Sequence, residues 1–235
     1  MHLALASSKT NEAFSPEPIS VNYLEELQES INAQALRAYE LLKKTMSGLA
    51  DDTVELAALL LSRRTRTLNG LGAANLDHVD GQRTRIHGDY HLGQVLRVKT
   101  DFAILDFEGE PARSLEARRA KHSPLKDVAG MLRSFNYAAW AALMKYTSRR
   151  PEDQARLEPW ARLWDQSVSA EFLHAYHETI AGSGLVPSNP SAVEALLDLY
   201  LLEKAFYELL YELNSRPDWV KIPLMGIASL LQQET

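Results

Sequence analysis

Three oxygen-bearing side chains near the middle of the chain carry the spacing of a phosphoryl-transfer centre. The run His87-Gly88-Asp89-Tyr90-His91-Leu92-Gly93-Gln94 is followed, after a hairpin-length gap, by Leu105-Asp106-Phe107-Glu108-Gly109. Moving a phosphoryl group from ATP to a hydroxyl needs one carboxylate to take the acceptor proton and hard oxygen ligands to fix magnesium against the phosphates. It leaves little covalent chemistry for the protein. Asp89, Gln94 and Asp106 supply those parts in that order.

The spacing matches that of protein kinases, where the catalytic Asp is followed by four residues, then a metal-binding amide, and later an Asp-Phe-Gly strand end. Here Tyr90 to Gly93 separate Asp89 from Gln94. Glutamine keeps the amide oxygen on a longer arm, which a hard cation tolerates. Val95-Leu96-Arg97-Val98 and Phe102-Ala103-Ile104-Leu105 flank Lys99-Thr100-Asp101, the pattern of a short β-hairpin that would fold Asp106 back towards Gln94.

The elements that position this centre read as helices on both sides of one small β island. With 235 residues, 46% of them hydrophobic, the chain fits one soluble globular domain of ordinary size, or one large domain with an appendage. A net charge of −6 without a basic run argues against nucleic acid or an anionic membrane as partner. No apolar stretch reaches spanning length, since Leu56 to Leu61 is stopped by Ser62-Arg63-Arg64. The absence of cysteine excludes disulfides and thiolate metal sites and suits a reducing compartment, and Met1 opens no signal peptide.

Residues 2–7 look like the end of a helix, and residues 14–20, with Pro16 and Pro18, like a loop. Asn22 can cap a helix to about residue 45, stopped by Ser47-Gly48, and Asp51-Asp52-Thr53 opens another running towards Gly70-Leu71-Gly72. Ser123-Pro124 starts an amphipathic helix to about residue 146, in which Leu125, Val128, Leu132, Phe135 and Ala139 recur at helical steps. Pro151 starts the next, to about residue 180, and Pro190-Ser191 a last long one to about residue 213, stopped by Pro217.

His87-Gly88-Asp89 with Gln94, the run from Ile104 to Pro111, Lys126-Asp127-Val128-Ala129-Gly130-Met131-Leu132-Arg133-Ser134-Phe135, Glu203-Lys204-Ala205-Phe206-Tyr207-Glu208 and Arg216-Pro217-Asp218-Trp219 together resemble bacterial maltokinase, from near Met1 to about Gly226. That family, often fused to trehalose synthase, shares the fold of aminoglycoside phosphotransferases and protein kinases. The resemblance implies a mainly α fold with a small β-hairpin, the carboxy-terminal lobe of that architecture. It divides into a helical segment (1–83), the catalytic loop and hairpin (84–111) and a helical acceptor-binding segment (112–235). The nucleotide lobe has no counterpart here: no glycine-rich strand-turn-strand pattern precedes the loop, and Lys9, Lys43 and Lys44 fall in loop or helix.

The resemblance further implies a bacterial cytoplasmic enzyme that makes maltose 1-phosphate, inefficient without the ATP-binding lobe. Asp89 would be the general base and His87 would orient the loop. Gln94 and Asp106 would hold Mg2+, joined by Glu108, because residues two apart on a strand point the same way. Arg133, Lys204, Tyr207, Glu208, Glu212 and Trp219 would meet the sugar; Lys204, Tyr207, Glu208 and Tyr211 share a helix face. Implied partners are maltose and a nucleotide lobe or trehalose synthase domain, with an exposed lobe surface that would pair two copies.

Other readings remain beside this one. His87, Asp89 and His91 alternate as zinc ligands do, yet His2, His78, His122, His174 and His177 add no completing spacing. Asp106, Glu108 and Glu110 invite a glycosidase pair, but explain fewer residues. The basic cluster Arg113, Arg118, Arg119 and Lys121 reads as a solvated face. A noncatalytic carbohydrate-binding or assembly module, or a phosphotransferase for another small hydroxyl such as an aminoglycoside or choline, are the alternative functions.

Overall fold

The computed structural model describes residues 1–73, 76 and 79–231; His78, weighed above as a metal ligand, lies outside them. In chain order the elements are α1 (His2–Leu5), β1 (Glu17–Pro18), α2 (Val21–Thr45), α3 (Asp51–Ser62), α4 (Arg64–Ala73), β2 (Gln82–Arg83), β3 (Val95–Val98), β4 (Asp101–Ile104), α5 (Leu115–Arg119), α6 (Leu125–Thr147), α7 (Gln154–Ile180), α8 (Pro190–Ser215) and α9 (Lys221–Leu230). The chain is mainly helical with small antiparallel sheets, as its periodicity implies. No helix among the described residues is long and apolar enough to cross a membrane.

The chain forms two units. The first comprises Met1–Ile19 and Val79–Val193, and holds both sheets. β3 and β4 pair antiparallel with Val95 opposite Ile104 and Val98 opposite Asp101, so the hairpin loop is Lys99-Thr100, one residue shorter than the sequence suggests. Lys99 takes a left-handed φ of 56°, as tight hairpin turns demand. The pairing of β1 with β2, Glu17 opposite Arg83, was not foreseen, because Pro16 and Pro18 read as loop residues. Proline is tolerated at such a sheet edge, where its missing N–H costs no ladder bond. α6 buries most of its length, including Leu125, Val128, Met131, Leu132 and Phe135, and packs against α7.

The second unit comprises Ser20–His78 and Glu194–Thr235. Tyr23, Leu24, Leu27, Ile31, Ala35, Ala38, Tyr39 and Leu42 bury one stripe of α2 at steps of three and four, with Tyr39 edge-on to Phe206 of α8. Ser20, rather than Asn22, caps α2 by accepting from the Tyr23 N–H at 3.2 Å. The single helix expected from Asp51 to Gly70 is broken at Arg63. Ser62 Oγ donates to the Leu59 carbonyl and Thr67 Oγ1 to the Arg63 carbonyl, a back-bonding that competes with the helix ladder and bends it. α9 was also missed. Pro217 and Pro223 look like stops, but Pro223 sits in the first turn, where no N–H is needed, and Ile222, Leu224 and Ile227 are buried.

The Lys221 ammonium bonds Asp52 across α3 and α9 and holds its carboxyl below the usual aspartate range, against a smaller opposing effect of burial. The unfolded chain therefore takes up this proton first as pH falls. The stability from the pair is present above about pH 4 and is lost below it. Asp52 is largely exposed, so Lys221→Met is expected to lower stability at pH 7 by less than about 1 kcal/mol, with the gap to the parent protein closing by about pH 3 in urea unfolding.

Candidate active site

In the first unit the catalytic-loop segment is fixed by a carboxylate from another element. Asp127, in the first turn of α6 and only 2% exposed, accepts from the His87 N–H at 2.7 Å through Oδ2 and from the Gly88 N–H at 2.9 Å through Oδ1. A carboxylate in the first turn of a helix is stabilised by the helix dipole, and here it also satisfies two loop donors. Gly88 has φ 82°, and a Cβ there would stand 3.3 Å from the Gly109 Cα, so only glycine brings the loop this close to the 106–109 turn.

His87 is 1% exposed, and both its ring nitrogens are used. Nδ1 accepts from the Asp89 N–H at 3.3 Å, which leaves the ring proton on Nε2; that proton is donated to the Leu105 carbonyl at 2.7 Å. One imidazole thus ties Asp89 to the residue before Asp106. Tyr90 and Phe107 pack on this ring with centroids at 5.5 and 4.9 Å. The Tyr90 phenol is pushed up by burial and then by the negative charge of Asp127, so it stays protonated.

Gln94 and Asp106 come together. The Leu105 N–H donates to the Gln94 carbonyl at 2.9 Å, extending the hairpin by one bond, and Gln94 Nε2 lies 3.3 Å from Asp106 Oδ2. Asp106 takes a left-handed φ of 59°, uncommon outside glycine and tolerated best by Asp and Asn. This turn removes the basis for grouping Glu108 with Asp106. β4 ends at Ile104, so the two are not alternate residues of one strand, and the Glu108 carbonyl accepts from Arg118 Nη1 at 3.5 Å.

Asp89 is mostly buried, with its carboxylate 3.6 Å from His91 Nε2. His91 Nδ1 accepts from the Gly93 N–H at 3.0 Å, so the protonated Nε2 faces Asp89. The Leu92 N–H donates to Ser134 Oγ of α6 at 3.0 Å, and Gly130 lets the Tyr90 carbonyl approach, since a Cβ there would meet that oxygen at 2.7 Å. α6 therefore holds the loop at Asp127, Gly130 and Ser134. The sequence reading gave none of these three a role. The available signal was Asp127 itself, an acid between Leu125 and Val128 on a largely apolar helix face.

Gln94 and Asp106 carry the kind of oxygens a hard cation takes, and their side-chain ends lie within 3.3 Å of each other. Among the described residues no group of three or more His, Cys, Asp or Glu could hold a metal, which disposes of the histidine-rich zinc reading there. Magnesium keeps several waters and needs only one or two protein ligands besides phosphate oxygens.

The sugar-contact candidates fall in both units. Arg133 of α6, in the first, is buried; its Nη1 donates to Asn136 Oδ1 at 3.2 Å, and Asn136 Nδ2 donates to Asp165 of α7 at 2.7 Å. In the second unit, Lys204 Nζ lies 5.0 Å from the Tyr207 ring centre, and Glu208 is buried. Glu212 accepts twice from Arg216, at 2.9 and 2.6 Å, and the Arg216 guanidinium lies 4.8 Å from the Trp219 ring and 5.3 Å from Tyr211. Arg216, part of the resembling run but given no role, organises Glu212 and Trp219.

The chain is 26% identical over 235 residues to a glucosamine kinase of Streptacidiphilus jiangxiensis, a match covering 99% of this chain and 47% of that protein. A glucosamine kinase of Mycolicibacterium smegmatis is 31% identical over 150 residues, covering 63% of this chain and 35% of its own. A solved glucosamine kinase in complex with glucosamine, ADP and inorganic phosphate aligns with TM-score 0.70 and 25% identity over 99% of this chain and 52% of that one. A second crystal form of a glucosamine kinase shares the fold at TM-score 0.69 and 24% identity. No protein-family model matches the chain. The chain spans half or less of the length of the relatives it matches.

These matches correct the maltokinase resemblance, and with it maltose and a trehalose synthase domain as partners: the relatives are glucosamine kinases. The misreading has a physical cause. The motifs that carried it, the loop, the run from Ile104 to Pro111 and the carboxy-terminal helix, are short local patterns, and such patterns do not by themselves fix which sugar is held.

Gly130→Ala is expected to push the Tyr90 carbonyl away and cost about 1–3 kcal/mol in urea unfolding. Gly48→Ala, where a Cβ meets nothing within 4 Å, is expected to stay within about 0.5 kcal/mol of the parent.

Proposed function

We propose that this chain is the metal- and acceptor-binding half of an ATP-dependent sugar kinase, and that its acceptor is glucosamine. The observation that carries the reading is the His87 ring, which binds the Asp89 N–H on one side and the Leu105 carbonyl on the other and so joins the would-be base to the Gln94–Asp106 pair. The similarity to glucosamine kinases over nearly the whole chain supports it and favours the amino sugar over other hydroxyl acceptors.

In this reading Asp89 takes the proton of the attacking sugar hydroxyl as the phosphoryl group arrives, and His91 Nε2 steadies its carboxylate from 3.6 Å. His87 holds the loop and does not touch the sugar. Gln94 and Asp106 would hold Mg2+, which supplies charge neutralisation for the phosphates of ATP. The sugar contacts are assigned to Arg133, Lys204, Tyr207, Glu208, Glu212 and Trp219. Glucosamine carries an ammonium group at neutral pH, and the acidic character that Glu208 and the Arg216-paired Glu212 give to α8 suits it better than it suits a neutral sugar.

The kinase-like carboxy-terminal lobe is part of the same proposal, with the ATP-closing lobe assigned to the length of the relatives that this chain does not span. Turnover by the 235 residues alone is accordingly expected to be slow. Adding the complementary half of the Streptacidiphilus enzyme as a separate polypeptide, with ATP, magnesium and glucosamine, is expected to yield glucosamine phosphate by mass spectrometry. Asp89→Asn should then lower turnover about 10²–10⁴-fold while calorimetry finds glucosamine affinity unchanged. Equal turnover by the Asn variant, or binding of glucose as tight as that of glucosamine, would contradict the assignment.

A further inference from the structure

Asp127 has a third donor, which the reaction described above does not use. His2, the first residue of α1, is 4% exposed, and its Nε2 lies 3.0 Å from Asp127 Oδ2. Its Nδ1 lies 3.0 Å from the hydroxyl of Tyr176 in α7, with the two rings edge-on at 83° and 5.7 Å between centroids. All three residues belong to the first unit.

We propose that His2 is a positioning residue of the phosphoryl-transfer loop, acting through Asp127; as a statement about catalysis it rests on the sugar-kinase reading. The direction of each hydrogen bond follows from chemistry. Asp127 as a carboxylate only accepts, so His2 Nε2 carries a proton and donates. Burial and then the negative charge of Asp127 push the Tyr176 phenol well above its ordinary value, so its hydroxyl keeps a proton to donate, and His2 Nδ1 at 3.0 Å accepts it. Tyr176 thereby fixes the Nε2–H tautomer of His2, and His2 fixes Asp127.

The consequence is torsional. A carboxylate held by one donor per oxygen can still twist about its last bond. Asp127 Oδ2 instead receives two donors, His87 N–H and His2 Nε2–H, while Oδ1 receives Gly88 N–H. The third bond restrains its plane further, and that plane sets where the two loop amides, and hence Asp89, sit. His2 also lines a cavity of about 250 Å³ whose walls include Tyr90, Val128, Phe172 and Tyr176. Without the imidazole, water from this cavity reaches a carboxylate now served by protein amides alone.

The test reads the loop directly, so it does not depend on turnover. In the parent protein, nitrogen shifts of the His2 ring should report the Nε2–H tautomer, and the Gly88 amide should exchange slowly. His2→Ala is expected to speed Gly88 and His87 amide exchange at least tenfold without equal change in α8. His2→Gln, whose Nε2 can still donate to Asp127, should restore most of the protection. Tyr176→Phe, which keeps His2 but frees its tautomer, should give a smaller increase. In the assembled kinase, His2→Ala should lower kcat about tenfold with unchanged KM for sugar and ATP, and His2→Gln should recover it. An Nδ1–H tautomer in the parent protein, unchanged loop exchange in Tyr176→Phe and His2→Ala, or no rescue by Gln would overturn the proposal. Altered, Gln-rescued exchange in a protein that phosphorylates nothing would instead leave the His2–Asp127 coupling standing and sink the kinase reading.

Discussion

The loop that bears Asp89 has little regular structure of its own, and its shape is imposed by one buried carboxylate. Asp127 receives the N–H groups of His87 and Gly88 inside the first unit, where an unmet amide would cost about 1–3 kcal/mol each. α6 surrounds that carboxylate with apolar contacts and adds a glycine and a serine that fit the following residues of the loop. Every other feature of the site is built on this fixed segment. Once the backbone at His87 is held, its ring can reach both Asp89 and Leu105, and the hairpin is tied to the loop at the point where Asp106 turns.

A site of this kind separates chemistry from selection. The side chains proposed to handle phosphate and metal are contained in a stretch of about twenty residues plus one helix, and all of them lie in the first unit. Apart from Arg133, the residues assigned to the sugar lie in the second, along α8 and the turn after it, where Glu212, Arg216 and Trp219 form a linked cluster. The two sets answer to different physical demands. Phosphoryl transfer asks for the same oxygens and the same rigidity whatever the acceptor, whereas the acceptor pocket is free to change its charges and rings.

That separation explains what could be read from the sequence. The approach of Asp106 to Gln94 was legible because the spacing is local and the intervening hairpin is signalled by its own residues. The long helices were legible from periodicity. Their interruptions were not: the bend at Arg63 comes from hydroxyls of Ser62 and Thr67 bonding carbonyls, and α9 begins with a proline in the turn where proline does no harm. The pairing of Glu17 with Arg83 and the hold of Asp127 on His87 join residues 66 and 40 positions apart, and no local pattern announces either. The acceptor was misassigned for a related reason, since short local runs do not report which sugar a pocket holds, and the relatives found over nearly the whole chain are glucosamine kinases.

The central claim is that Gln94 and Asp106 face one cation beside the Asp89 loop, held there by His87 and Asp127. Manganese, which takes the same oxygen ligands as magnesium and relaxes nearby nuclei, tests it most directly when titrated into isotope-labelled protein. The account calls for selective broadening of the Gln94 side-chain amide and of Asp106 and Asp89, reversed by excess magnesium. Broadening centred elsewhere, or none at these residues, would contradict it.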